Sequence, residues 1–453
     1  MLQHLRFTNF KSWPEANLEL AQITGLFGTN SSGKTSILQF LLMLKQTREA
    51  TDRAISFLLE GPYVSLGVPR DVIHRHSEQA NIAFELALRL PKELTIQNPE
   101  GKKSDVIARS DVLSLSFNAA LKQGRIIGQR LGYELGDRTF ELTQKAGEGS
   151  KFKLNTTGPE GFGFLRTQGR PWDLPGPIKC YAFPDQARTY FQNAAFLADL
   201  ELSFEQAMDR IFYLGPLREY PRRDYQWSRS RPTDVGSKGE RAIEAILAAS
   251  EAGEKRNLRS KSRLMPFQEM VALWLREMGL IHSFRVQEIA EGSNRWQAWV
   301  KTREGGTEVL LTDVGFGISQ VLPVVTLLQY VQEGSTVILE QPEIHLHPLA
   351  QAHLADLILQ AAQHRRVQVI LESHSEHLLL RLQRRLAEEK VDRDDVRLYF
   401  CDALGGVSTI TPLKLDLYGN IQNWPENFMG NAFGETAEAE KAKLKRMLRA
   451  AAQ

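Results

Sequence analysis

The spacing of apolar residues changes period along the chain. Residues 2–8 and 23–27 (ITGLF) read as short strands. A glycine-rich polar stretch follows at 28–33. Ile37, Leu38, Leu41, Leu42 and Leu44 then recur at helical spacing, which predicts a helix starting near Lys34. Alternation with period two takes over at Ile82, Phe84, Leu86, Leu88 and Leu90, at Leu113, Leu115 and Phe117, and at Leu131, Tyr133 and Leu135. With Gly- and Asp-containing turns between them, these runs predict an antiparallel meander. From about Ser203 the pattern reads as helical, and Phe267, Met270, Val271, Trp274, Leu275 and Met278 form one core-facing stripe. Strands are expected again at 284–290, 295–301 and 307–311. The last third alternates: helix from about Ser319, strand 335–340, helix 349–362, strand 366–371, helix 376–389, strand 396–400. That alternation predicts an α/β unit with a parallel sheet and crossover helices. No internal repeat and no sustained heptad is present. The Ala- and charge-rich tail after Gly434 predicts a terminal helix.

Composition narrows the class without naming a partner. Of 453 residues, 42% are apolar and 24% charged, which excludes collagen-like, mucin-like and wholly disordered chains. The length predicts about three domain-sized units. A net charge of +2 is too balanced to point to nucleic acid or a membrane. Two distant cysteines, Cys180 and Cys401, make neither a disulfide framework nor a CxxC site, as in a reducing compartment. The first residues lack the apolar core of a signal peptide, and no run reaches the ~18 apolar residues of a membrane span. A cytoplasmic protein with no membrane partner is expected.

Gly28-Thr29-Asn30-Ser31-Ser32-Gly33-Lys34-Thr35, followed by Ser36, fits GxxxxGK[ST] between an expected strand and an expected helix. Glycines let the backbone approach phosphates, successive N–H groups form an anion nest, and the helix N-terminus adds partial positive charge. Lys34 is placed to neutralise β- and γ-phosphates and the Thr35 hydroxyl to ligate Mg²⁺. The competing reading is an ordinary glycine-rich strand–helix turn, which the context disfavours.

Residues 335–348, STVILEQPEIHLHP, form an apolar strand ending in Glu340, where a carboxylate would hold Mg²⁺ beside a phosphate loop. A second strand, VQVIL, ends in Glu372-Ser373-His374-Ser375, so His374 would face the same crevice, within reach of a γ-phosphate or an attacking water. His345, His347 and His353 invite a zinc reading, but no cysteine or fourth ligand accompanies them. Residues 313–320 (DVGFGISQ) place two glycines and a serine at a helix start, a weak signal by itself.

Together these segments resemble the ATP-binding-cassette heads of SMC, RecF and OLD proteins: NFKSW at 9–13, GTNSSGKTS at 28–36, GFGISQ, ILEQPEIHLHP and ESHSEH occur in that order. The nearest likeness is a bacterial family of compact AAA-annotated ATPases that ends in a short domain of unknown function with a segment like LYGNI…NWP. The resemblance implies an α/β P-loop ABC-type head with a mixed sheet, a β-rich arm and a helical insert. It divides the chain into an N-terminal ATPase lobe (1–100), the arm (101–200), a basic helical insert (201–305), a C-terminal ATPase lobe (306–415) and a tail domain (416–453). It makes residues 28–36 the ATP-binding set, Thr35 and Glu340 the Mg²⁺ ligands and His374 the switch histidine. Gly315, Gly317 and Ser319 become the signature segment that completes the ATP site of a second copy. A head-to-head homodimer or higher oligomer follows, working with an effector such as a nuclease in anti-phage defence or repair. The register of the signature is not fixed, and no Q-loop glutamine stands out.

Gln341 occupies the position where such heads carry a catalytic glutamate. An amide cannot accept the proton of an attacking water, though it can orient that water. Slow hydrolysis is expected, with Glu343 the nearest carboxylate that could substitute. The 79 residues after His374 are too few for a nuclease domain as well.

Residues 213–263 hold 12 Lys/Arg against 7 Asp/Glu. Arg218, Arg222, Arg223, Arg229 and Arg231 interleave with Tyr220, Tyr225 and Trp227, as in surfaces that combine phosphate contact with base stacking. Lys255, Arg256, Arg259, Lys261 and Arg263 read rather as a solvated run. The leading expectation is an ATP-driven switch. The alternative is a RecF-like repair ATPase that clamps DNA through residues 213–263. A transporter subunit or a metabolic kinase fits the motifs less well.

Overall fold

Two sheets and the helix between them set the position of the phosphate loop and the strand-end carboxylates. The computed structural model describes residues 1–77, 80–99, 101, 105–147, 150–170, 173–257, 262–425 and 441–443. The central sheet has six strands, in the spatial order Val407–Pro412, Val396–Leu404, Ile23–Gly28, Gln368–Glu372, Thr336–Glu340 and Ile211–Leu214. Five run parallel, and Val407–Pro412 pairs antiparallel at one edge. The three strands at its heart, Ile23–Gly28, Gln368–Glu372 and Thr336–Glu340, are buried at every position. Continuous apolar runs of this kind belong to parallel sheets covered on both faces. The mixed α/β architecture agrees with the expected fold class.

The second sheet is the antiparallel meander. Its seven strands lie in the order Trp13–Glu19, Leu2–Phe10, Asn81–Gln97, Val106–Lys122, Arg125–Leu135, Arg138–Gln144 and Phe152–Thr157. It draws strands from both sides of residue 100. The helix Lys34–Glu49 is buried between the two sheets, in a core with Leu26, Ile338 and Ile370 on one side and Leu5, Phe7 and Phe84 on the other. Phe40 of that helix stacks on Phe7 with centroids 4.5 Å apart and meets Phe10 and Phe84 edge-on at 5.1 and 5.7 Å. Aromatic pairs of this geometry add about 0.5–1.5 kcal/mol each beyond their burial. The helix's C-terminal end is capped by Lys179, whose ammonium donates to the carbonyls of Arg48 and Ala50 at 2.9 and 2.8 Å. The Gln368 side chain bridges the sheets, accepting from the Leu2 N–H and donating to the carbonyls of Leu2 and Ala21.

In the last third the expected elements appear with small boundary shifts, among them the helices Phe316–Tyr330, Pro348–Arg365 and Glu376–Ala387. Several strands were not expected, among them Arg138–Gln144, Phe152–Thr157 and Val407–Pro412, and two more have a clear physical reason. Trp13–Glu19 was not expected; it is an edge strand, which is why Pro14 is tolerated within it. Ile211–Leu214 lies where the pattern reads as helical, yet it is the outer strand beside Thr336–Glu340. Of the expected terminal helix, residues 441–443 are helical and the rest lies outside the described residues. Among the described residues no helix is long and apolar enough to cross a membrane.

Candidate nucleotide site

The phosphate loop joins the central strand Ile23–Gly28 to the helix Lys34–Glu49. Two glycines in it are sterically required. At Gly28 the backbone has φ +141°, and a Cβ would lie 2.0 Å from the Cys401 carbonyl oxygen of the neighbouring strand. At Gly33, with φ +87°, a Cβ would meet Ser408 Oγ, Trp13 Nε1 and Ser12 Oγ within 3 Å. The Trp13 indole N–H donates to the Gly33 carbonyl at 3.0 Å, while Ser408 and Ser12 join their hydroxyls at 2.7 Å. Thr29, Asn30 and Ser31 are exposed at the tip. Ser32 is buried and donates to the Thr29 carbonyl, and the Ser36 N–H closes the first turn on the Gly33 carbonyl.

Lys34 is almost fully buried, and its ammonium donates to the carbonyls of Gly28 and Thr29 at 3.2 and 2.6 Å. Burial pushes its pKa down, and the nearby Glu372 carboxylate opposes the shift. The Thr35 hydroxyl donates to Glu372 Oε2 at 2.7 Å.

Glu340 and Glu372 end neighbouring parallel strands and pair in register. Burial, reinforced by the Glu372 charge, pushes the Glu340 carboxyl up to about 7, although Tyr213 donates to its Oε1 at 3.0 Å. Burial also raises Glu372, against hydrogen bonds from Thr35 and the Gln341 side chain and the charge of Lys34. Gln341 has φ +42°, a left-handed conformation uncommon for a side-chain-bearing residue, and its N–H donates to the Glu372 carbonyl at 2.8 Å. Two carboxylates and a hydroxyl beside a phosphate loop are the hard oxygen donors that Mg²⁺ takes together with nucleotide phosphates and water. The residues present therefore fit a Mg²⁺–nucleotide pair.

Glu343 is buried and accepts the His374 N–H at 2.7 Å, so it engages the main chain of His374. The His374 imidazole is exposed, and desolvation with the neighbouring Lys34 charge lowers its pKa. Ser375 starts the following helix, accepting the Leu378 N–H at 3.0 Å. The phosphate loop, both carboxylate strand ends and His374 thus share one edge of the sheet.

The segment with Gly315, Gly317 and Ser319 lies elsewhere. Gly315 precedes the helix Phe316–Tyr330, Phe316 packs against Tyr220 and edge-on against His345, and Ser319 bonds to the Phe316 carbonyl. Among the described residues no hydrogen bond or ring contact joins 315–319 to the phosphate loop. His347 caps the next helix by accepting the Leu349 N–H.

Sequence reasoning passed over three contributors. Glu372 was visible as the residue two before His374. Tyr213 was hidden because its strand reads as helical. Arg218 was grouped with a basic run, yet it is 95% buried, donates to the Glu340 carbonyl at 3.2 Å, and among the described residues leaves Nε and Nη1 without partners. Burial pushes its pKa down to about 10, with the Glu343 charge opposing. The remaining arginines of that run are exposed, each in a surface ion pair of the same chain: Arg222 with Glu219, Arg223 with Asp313, Arg229 with Glu251 and Arg231 with Glu254. Trp227 is buried, and Tyr220 is exposed. Of the second run, Arg259 and Lys261 lie outside the described residues.

Residues 185–381 match the family model described as "AAA domain, putative AbiEii toxin, Type IV TA system". This matched segment includes Glu340, Gln341, Glu343 and His374, while the phosphate loop precedes it. Residues 391–438, beyond that segment, match "Protein of unknown function (DUF3696)". No curated protein matches the chain. Similar solved structures include an SmcHead bound to the C-winged helix domain of ScpA, at 11% identity and TM-score 0.44, covering 91% of this chain and 98% of that one. The SMC head domain from Thermotoga maritima has 11% identity and TM-score 0.39, covering 91% and 99%. A Pyrococcus furiosus Smc head domain bound to the C-terminal domain of ScpA has 11% identity and TM-score 0.42, covering 91% and 96%.

Proposed function

We propose that the chain is an ATP-binding switch that hydrolyses ATP slowly, closes head-to-head with a second copy, and regulates a partner effector such as a nuclease. The observation that carries this reading is the convergence of Lys34, Thr35, Glu340, Glu372 and His374 on one edge of the central sheet. Residues 28–36 would hold the triphosphate, with Lys34 turning from the loop carbonyls to the phosphates. Thr35 and the strand-end carboxylates would hold Mg²⁺, which when bound neutralises phosphate charge. His374, uncharged at neutral pH by the direction of its shift, is poised to accept or donate a hydrogen bond at the terminal phosphate or water. Gln341 orients rather than deprotonates, which favours a long-lived ATP state.

The exposed, sterically open Gly315 supports the head-to-head arrangement, since this residue is accessible to a second copy, whereas Ser319 is buried and bonded to the Phe316 carbonyl. The matched family's description as a toxin of a toxin–antitoxin system supports an anti-phage or related defence role.

Lys34→Ala tests the core of this reading. The variant is expected to lose ATP binding by isothermal titration while keeping the circular dichroism and melting transition of a folded chain. Normal ATP binding by the variant would refute the site.

A further inference from the structure

The order of the strands decides which carboxylate stands beside the phosphate loop. Gln368–Glu372 lies between Ile23–Gly28 and Thr336–Glu340, so Glu372 is one strand from the loop and Glu340 is two. Adjacent strands are about 4.8 Å apart, so the difference is a full strand spacing. The contacts follow the same order. Glu372 Oε2 accepts the Thr35 hydroxyl at 2.7 Å, and Lys34 is its nearby cation. Glu340 Oε1 instead accepts from Tyr213, on the far side of its strand. The Gln341 N–H donates to the Glu372 carbonyl at 2.8 Å, which ties the two strand ends together, and the Gln341 side chain lies close enough to the Glu372 carboxyl to lower its pKa.

We propose that Glu372 is the carboxylate that anchors the divalent cation at Thr35, directly or through a water, and that Glu340 is its outer partner. The inference rests on the nucleotide-site reading above and deepens it. Mg²⁺ takes one or two carboxylates with hydroxyl, phosphate and water oxygens, and the Glu372–Thr35 pair supplies a carboxylate and a hydroxyl already in contact. Gln341 acts through Glu372 as a positioning residue, since its amide orients the carboxylate without adding charge.

The experiment measures affinity for a non-hydrolysable ATP analogue in EDTA and in saturating Mg²⁺, with Mn²⁺ paramagnetic resonance as an independent readout of the bound cation. Wild type, Glu372→Gln, Glu372→Asp, Glu340→Gln and Lys34→Ala are compared. Glu372→Gln is expected to bind the analogue in EDTA within about twofold of wild type and to lose about tenfold or more of the Mg²⁺-dependent tightening, with Glu340→Gln losing less. Its bound-Mn²⁺ signal should weaken in parallel. The glutamine keeps an oxygen for Thr35 and removes a buried charge, so the fold should hold. Should it fail to fold, Glu372→Asp, which keeps the charge but shortens its reach, is expected to lose part of the same tightening. Full Mg²⁺-dependent tightening and an unchanged Mn²⁺ signal in both Glu372 variants would overturn the assignment, as would loss confined to Glu340→Gln. Wild-type binding by Lys34→Ala would overturn the site reading itself, and the Glu372 assignment with it.

Discussion

The indole N–H of Trp13 donates to the main-chain carbonyl of Gly33, 3.0 Å away, and so ties the phosphate loop to the edge strand of the meander. Trp13 is fully buried, so the ring has no alternative solvent partner. Trp13→Phe keeps much of the packing and removes this one donor. A buried hydrogen bond is worth about 1 kcal/mol, so ATP affinity is expected to fall about fivefold. Fluorescent-nucleotide titration against the wild type checks it; unchanged affinity would show that the loop holds its shape without the indole.

Gln341→Glu places at the end of the acidic strand a carboxylate base, whose absence is the cause to which the proposed slow hydrolysis is attributed. Steady-state ATP turnover is expected to rise. The new carboxylate also replaces an amide donor with a like charge beside Glu372, so the gain should appear at saturating Mg²⁺ and shrink as Mg²⁺ is withdrawn. If phosphate release does not rise at any Mg²⁺ concentration, the amide is not what limits hydrolysis.

Gly315 has φ −58°, and no atom lies within 4 Å of a Cβ built there, so arginine is accommodated without strain. Gly315→Arg is expected to leave ATP binding by the single chain intact and to abolish ATP-dependent dimerisation. Light scattering with and without the non-hydrolysable analogue reads the outcome. A dimer that still forms would place the contact between heads elsewhere.

Glu201, in the helix Leu197–Asp209, gives a pH-dependent stability signal away from the nucleotide site. Burial pushes its carboxyl from 4.5 up to about 7, although the Phe183 N–H donates to it at 2.9 Å. The folded state therefore holds this proton between pH 4.5 and 7 while the unfolded chain releases it. Its contribution to stability is complete below about 4.5 and is lost as pH rises through about 7. Glu201→Gln should unfold in urea much as wild type does at pH 5 and be more stable at pH 8, by about 2–3 kcal/mol. A difference that does not change with pH would exclude this origin.

The central strands and crossover helices were readable because each is a long, strongly patterned segment whose period its packing enforces. Ile211–Leu214 was not, because it continues the stripe Leu197, Leu200, Phe204 and Met208 almost in helical phase. Four apolar residues alone cannot separate a buried strand from a helix turn. Trp13–Glu19 carries a proline that normally argues against a strand, and only its place at the sheet edge removes the objection. At the site, the phosphate loop announces itself locally. Glu372 does not, because its partner Thr35 is 337 positions away in sequence. Arg218 shows the same limit: five neighbouring arginines look alike in a string of letters, and only the fold buries one of them.

The short connection after Ile211–Leu214 touches two distant parts of the head at once. Arg218 bonds to the acidic strand, Tyr220 packs on Phe316, and Arg223 pairs with Asp313 ahead of the glycine-bearing helix. The acidic strand end and the Gly315 surface therefore lean on a single strut, and a sequence change in it that suits one must be tolerated by the other. Under the proposed function, variation in that strut would be constrained from both ends, because retuning the nucleotide site would also alter the surface offered to a second copy.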